Sequence, residues 1–195
     1  MPATVLTVLR SGGEYLPEHV ERLYRQCQDY DFLCLSDVPL DVPHCRMEHN
    51  WPTWFSKLEM FRLHGPVLYT DLDTAVTGDL APLLEAVEQH DFIALKNPLP
   101  TPSRFGSGLM GWRGDMSNVY RRFLADPGYH AKRCVTPQVW GDQGFIAEDC
   151  PSPAFWQDLF PGEILSWKVD CAQGVPQQAR VLYFHGTPRP WQVGM

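Results

Sequence analysis

Two carboxylates separated by one residue close the run Pro66-Val67-Leu68-Tyr69-Thr70-Asp71-Leu72-Asp73. The apolar part reads as a β-strand, and the carboxyl edge of a strand is where open α/β sheets bind ligands. Residues at i and i+2 of extended chain point the same way, so Asp71 and Asp73 are expected to face one cation. Hard divalent ions such as Mn²⁺ or Mg²⁺ take oxygen ligands and bridge a protein carboxylate to a substrate phosphate. The pair therefore predicts phosphate chemistry. Acids also gather at strand ends for solubility and to bond the backbone, so the pair has to be weighed with the rest of the chain.

The elements that must position these acids alternate in type. Residues 4–9 form an apolar run broken by Ser11-Gly12-Gly13, and residues 17–28 carry Val20, Leu23, Tyr24 and Cys27 at helical spacing. A second buried strand is predicted over 32–35, ending at Ser36-Asp37, which makes the opening βαβ-like. Thr53 is placed as the N-cap of a helix with Trp54, Leu58 and Phe61 on one face, stopped by Gly65 and Pro66. Further along, the pattern predicts a helix over 80–89, a strand over 92–95, a Pro-rich loop over 97–105 and a strand over 106–112. Asp115 would cap a helix running to Leu124, and a helix over 140–148 would carry Asp142 and Gln143 near its start. Residues 164–167 and 181–184 are the last strands. The expectation is one α/β domain spanning 1–195, with a mixed central sheet flanked by helices.

The net charge of -7 and pI near 5.4 argue against an extended nucleic-acid or anionic-membrane surface, which would reward an excess of Lys and Arg. A small anionic ligand needs only local positive charge, for which Arg10, Lys57, Arg62 and Arg189 are available. The six cysteines are scattered without a C-x-x-C pair or zinc spacing and are read as reduced thiols. The first residues read as a strand and not as a signal peptide, and no run approaches the roughly 18 apolar residues of a membrane span. The chain is read as cytoplasmic, with no integral membrane segment.

Three separated segments, in order, carry a family resemblance: Asp71-Leu72-Asp73 after Val-Leu-Tyr-Thr, Trp140-Gly141-Asp142-Gln143, and Tyr183-Phe184-His185-Gly186-Thr187-Pro188-Arg189-Pro190-Trp191. Together they resemble the glycogenin-like retaining glycosyltransferases of family 8. The segment holding Lys57 and the strand Ser107-Gly108-Leu109-Met110 resemble two further parts of that family. The resemblance implies a GT-A (Rossmann-like) fold and a nucleotide-sugar donor, usually a UDP-hexose. It also implies a Mn²⁺ or Mg²⁺ ion held by Asp71, Asp73 and His185. Donor contacts would come from Leu9, Arg10, Lys57, Asp71 and Leu72, and from Ser107, Gly108, Gly186 and Arg189. Asp142 and Gln143 would flank the transferred sugar, a carboxylate holding its hydroxyls and an amide stabilising a developing oxocarbenium ion.

The terminal motif departs from the family's H-x-x-G-x-x-K-P-W. Tyr183 takes the place of the His, and His185 abuts Gly186. If residues 183–185 are extended, the two-residue offset keeps both side chains on one face. Arg189 replaces the family Lys and offers phosphate a bidentate fork instead of a point charge. Local alternatives stand beside each role: helix capping for Asp142, an ordinary turn around Arg10, a solvated charge for Lys57, packing for Ser107 and Gly108. The acceptor is left open. Two other functions remain, a sugar-1-phosphate nucleotidyltransferase, for which no G-x-G-T-R-L-type loop follows the first strand, and a non-catalytic carbohydrate-binding protein on the same fold.

Overall fold

A computed structural model describes residues 2–97, 105–136, 139–150 and 152–195. The first half holds β1 (Thr4–Leu9), α1 (Pro17–Gln26), β2 (Phe32–Ser36), β3 (His44–Arg46), a 3-10 helix (Thr53–Arg62), β4 (Val67–Thr70), β5 (Thr74–Val76) and α2 (Ala81–Gln89). There follow β6 (Phe92–Leu95), β7 (Gly106–Trp112), α3 (Ser117–Ala125), α4 (Pro127–Arg133), α5 (Gly141–Asp149), β8 (Ala154–Phe155) and α6 (Trp156–Leu159). The chain ends with β9 (Ile164–Ser166), α7 (Trp167–Asp170), β10 (Val181–Tyr183) and a 3-10 turn (Pro190–Gln192). The predicted loop over 97–105 falls mostly outside the described residues.

The main sheet has seven strands in the order β3-β2-β1-β4-β7-β6-β8. β1 pairs in parallel with β2 and with β4, whereas β7 runs antiparallel to β4 and β6. The mixed α/β expectation is met. Strand neighbours alternate between two cores: Val5, Leu68 and Leu109 pack with α1 and α2 residues such as Leu23 and Val87. Leu6, Tyr69 and Met110 pack on the other side with Phe61, Phe123 and Phe145. Burial on both faces is why these strands read as continuous apolar runs instead of alternating ones. Each fully buried Leu or Phe contributes roughly 1.5–3 kcal/mol.

The last two predicted strands belong elsewhere. β9 and β10 join β5 in a separate three-stranded sheet of order β5-β10-β9, with its own small core of Ala75, Ala179, Leu182 and Phe184. The helix expected at 53 is corrected as well. Thr53 is not a side-chain cap: Pro52 occupies the N-cap position, and Thr53 has a φ of 52°. The segment winds as 3-10, in which residues i and i+3 eclipse. Phe55, Leu58 and Phe61 therefore share the core-facing column. Trp54 falls in the column of Lys57 and stays exposed, off the buried face assigned to it. Among the described residues no helix is long and apolar enough to cross a membrane. All six cysteines are free.

Candidate active site

β1, β2 and β4 run in parallel and deliver Arg10, Asp37 and Asp71 to one edge of the sheet, where a cavity of about 1060 Å³ opens. β2 lies on one side of β1 and β4 on the other, so the cavity sits where the strand order reverses, the usual ligand crevice of such sheets.

The acidic pair is held differently from the prediction. β4 ends at Thr70, and residues 71–73 form a turn leading into β5, so a turn and not the pleat of a strand brings both carboxylates to the cavity wall. The reason is that the chain leaves the main sheet here for the smaller one. Four backbone groups fix the turn: Asp71 N donates to Gly108 O (2.9 Å), Phe184 N to Asp73 O (3.1 Å), and the Arg22 guanidinium of α1 to Leu72 O (2.7 Å) and Thr74 O (2.8 Å). Gly108 sits directly beside the pair: a Cβ there would be in van der Waals contact with Asp71 Oδ2 at 3.4 Å.

Lys57 ties Asp71 to Asp142. Its buried ammonium lies 2.8 Å from Asp71 Oδ1 and 3.0 Å from Asp142 Oδ2, and donates to Ser107 Oγ (3.2 Å). Ser107 Oγ in turn donates to Asp142 Oδ2 (2.7 Å). Burial works against the charge on Lys57, but Asp142 and Asp71 outweigh it and hold the pKa above the ordinary lysine value. Lys57 is therefore no solvated helix charge. Nor is Asp142 a helix cap: the N-cap position of α5 is Trp140, without a side-chain cap bond, while Asp142 faces Lys57 and Ser107.

Asp71 also accepts from Tyr69 Oη, and Asp73 from Tyr15 Oη (3.1 Å) and from the Arg189 guanidinium. Burial, and then the charge of Asp71, pushes the Asp73 carboxyl well above the usual carboxylate range. The remaining edge of the Arg189 guanidinium is bonded to Glu14 (2.8 and 2.7 Å). At the head of the cavity Asp37 accepts from Arg10 (2.8 Å), from Ser11 N (2.7 Å) and from Ser11 Oγ (2.8 Å), which rigidifies the turn after β1.

The structure brings Arg10, Lys57, Asp71, Leu72, Asp73, Ser107, Gly108, Asp142, Gln143, His185 and Arg189 around this single cavity. Leu9 does not line the cavity: its side chain is fully buried in the core, and strand alternation gives the wall to Val8 and Arg10. Gly186 lies off the wall, facing Lys168 with a φ of 70°. Tyr183 and His185 do line the same wall.

Two adjacent carboxylates, one raised by the other, are a fitting donor set for a hard cation. His185, whose pKa is lowered by burial and by Lys168, has suitable chemistry as well. Its Nε2, however, is bonded to Ser166 Oγ (3.0 Å), and no three His, Cys, Asp or Glu side chains gather at one point among the described residues. Lys57 and Arg189 supply the countercharge there. Sequence reasoning missed Asp37, Tyr15, Glu14, Tyr69 and the wall residue Trp54. Only Asp37, at the end of a predicted strand, carried a signal.

No family model and no curated protein matches the sequence. Solved structures do match it. The apo form of the glycosyltransferase GlyE of Streptococcus pneumoniae TIGR4 superposes with a TM-score of 0.69 at 16% identity, over 97% of this chain and 56% of GlyE. The galactosyltransferase LgtC, solved with donor and acceptor sugar analogues, gives 0.65 at 11% identity, over 96% of this chain and 89% of LgtC. A glycosyltransferase involved in glycosylating the major capsid of PBCV-1 gives 0.56 at 12%, over 94% and 93%. The chain has a GT-A-like glycosyltransferase fold. It spans little more than half the length of GlyE, and the identities are low enough that the likeness speaks for the fold alone.

Proposed function

We propose that the protein transfers a hexose from a nucleotide-sugar donor, a UDP-sugar, to an acceptor hydroxyl with retained anomeric configuration, as the family 8 resemblance implies. One observation carries this reading: buried Lys57 couples Asp71, of the pair assigned to the diphosphate, to the Asp142–Ser107 pair beside it. A leaving-group site and a sugar site would then be held in fixed register by one charge. Asp71 and Asp73 would hold Mn²⁺ or Mg²⁺, which when bound would supply Lewis-acid stabilisation of the departing diphosphate; His185, the third ligand that the resemblance implies, would first have to release Ser166.

The other roles fall to the chain's own groups. Arg10, with the turn anchored by Asp37, receives the nucleoside, and Arg189 turns from Asp73 to phosphate oxygen. Ser107 and Asp142 hold sugar hydroxyls, while the Gln143 amide faces the anomeric carbon as positive charge develops there. The bond from the anomeric carbon to the phosphate oxygen breaks as the acceptor oxygen bonds on the same face. The acceptor's proton passes to the leaving phosphate. A double displacement would need a free nucleophile, and Asp142 Oδ2 is already engaged by Lys57 and Ser107.

Release of nucleoside diphosphate from a panel of nucleotide sugars, with and without acceptors, tests the reading. Turnover is expected with a UDP-sugar and is expected to fall by orders of magnitude in Asp71→Asn and Asp73→Asn. Undiminished turnover by the double variant in chelator would overturn the metal assignment, and no turnover of any donor by the parent would overturn the transferase reading.

A further inference from the structure

Trp54 and Trp140 are 44% and 52% exposed, although both line the wall of the cavity. Most aromatic side chains of this chain are spent in its cores. These two are left open beside its most polar groups. Their ring centroids lie 6.3 Å apart at an interplanar angle of 35°, so the two indoles form one aromatic cluster on the cavity wall. The separation is too short for a ligand ring to slip between them, so a ligand would meet the exposed side of the cluster as a platform. Gly141 adopts a φ of 62°, and a Cβ there would come within 3.2 Å of Trp54 Nε1. The backbone at the head of α5 is thus shaped to let the indole of Trp54 lie against it.

The place of the platform is fixed by its neighbours. Trp54 stands one 3-10 turn before Lys57, in the same column. Trp140 stands immediately before α5, two residues from Asp142. Lys57 and Asp142 touch each other at 3.0 Å. The platform therefore borders the reacting centre, whereas the Arg10–Asp37 cluster assigned to the nucleoside is built on the ends of β1 and β2. Near the platform the polar groups are a carboxylate and an amide, Asp142 and Gln143, both on the cavity wall. An aromatic face that takes the C–H side of a ring, next to groups that bond hydroxyls, is the chemistry that recognises a pyranose.

From this juxtaposition we propose that Trp54 and Trp140 form the acceptor subsite and that the acceptor is a saccharide, whose terminal pyranose stacks on the indoles and presents its hydroxyl toward Asp142. The assignment rests on the transferase reading for the word acceptor, but the saccharide site itself can be read without turnover.

Titration of the parent protein with methyl hexopyranosides, lactose, cellobiose and maltose, in the presence of UDP, is followed by tryptophan fluorescence and by saturation-transfer NMR. At least one saccharide is expected to bind, to quench fluorescence, and to show its strongest saturation at ring C–H protons. Trp54→Ala and Trp140→Ala are each expected to weaken it about tenfold, and Trp54→Phe and Trp140→Phe to restore most of the affinity. Thermal melts of all four variants separate this from misfolding. No saccharide binding by the parent, or binding that the folded alanine variants leave intact, overturns the proposal. Calorimetric titration of the parent with UDP and Mn²⁺ reports on the donor reading alone, so the failure of either assignment is seen separately.

Discussion

Replacing Lys57 with Met removes the charge that joins Asp71 to Asp142 while keeping about the length of the side chain. The ammonium lies 2.8 Å from Asp71 and 3.0 Å from Asp142, and its side chain is 9% exposed. At an effective dielectric near 20, each contact has a gross attraction of about 6 kcal/mol, much of it offset by the cost of desolvating three charges. What the variant loses is the compensation of two carboxylates that stay behind, and breaking a buried pair in this way costs about 3–5 kcal/mol. Asp71 retains 27% exposure and can recover some hydration, which places the expected loss near the lower bound, about 3 kcal/mol. For a chain of this size that corresponds to a fall in Tm of about 6–12 °C. Urea unfolding of parent and variant measures it. A variant as stable as the parent would refute the idea that Lys57 is held as a charge by these two acids.

Gly111→Ala should destabilise the sheet by about 1–3 kcal/mol through overpacking, because the new Cβ would lie 2.7 Å from Val87 Cγ2 and 2.9 Å from Trp156 Cζ2; an unchanged Tm would contradict it. Asp37→Ala removes the acceptor of three bonds from Arg10 and Ser11 and is expected to weaken UDP about tenfold with little loss of stability. Calorimetry decides between that and equal affinity. The Arg133 and Arg122 guanidiniums hold the Glu148 carboxyl down at about 2 against a reference of 4.5. Its contribution to stability is therefore present above about pH 4.5 and lost as pH falls toward 2. Glu148→Gln should flatten the acid limb of the unfolding curve over that window, and an unaltered limb would show that the ion pairs contribute nothing measurable.

Helices and strands of the main sheet were legible because their apolar periods are long and little interrupted. β1, β2, β6 and β7 lie within a residue of the predicted bounds, and Asp142 and Gln143 open α5 as expected. The segment around Lys57 was read with the wrong period. An α-helix and a 3-10 helix distribute the same residues over different faces, and only packing against the core chose the tighter one, exposing Trp54. The second sheet could not be read either, since three strands of three residues each carry too little pattern to reveal whom they pair with.

By itself the sequence determined the alternation of elements, the mixed sheet, and the residue types that could meet phosphate and sugar, because periodicity and turn chemistry are local. Tertiary structure alone decided which charges face one another. The Asp71–Lys57–Asp142 bridge spans residues 14 and 85 apart from Lys57 in the chain, and the Glu14–Arg189–Asp73 bridge joins nearly the two ends of it. Such pairings are settled by strand order and by a turn held from three elements, and no local property of the chain encodes them.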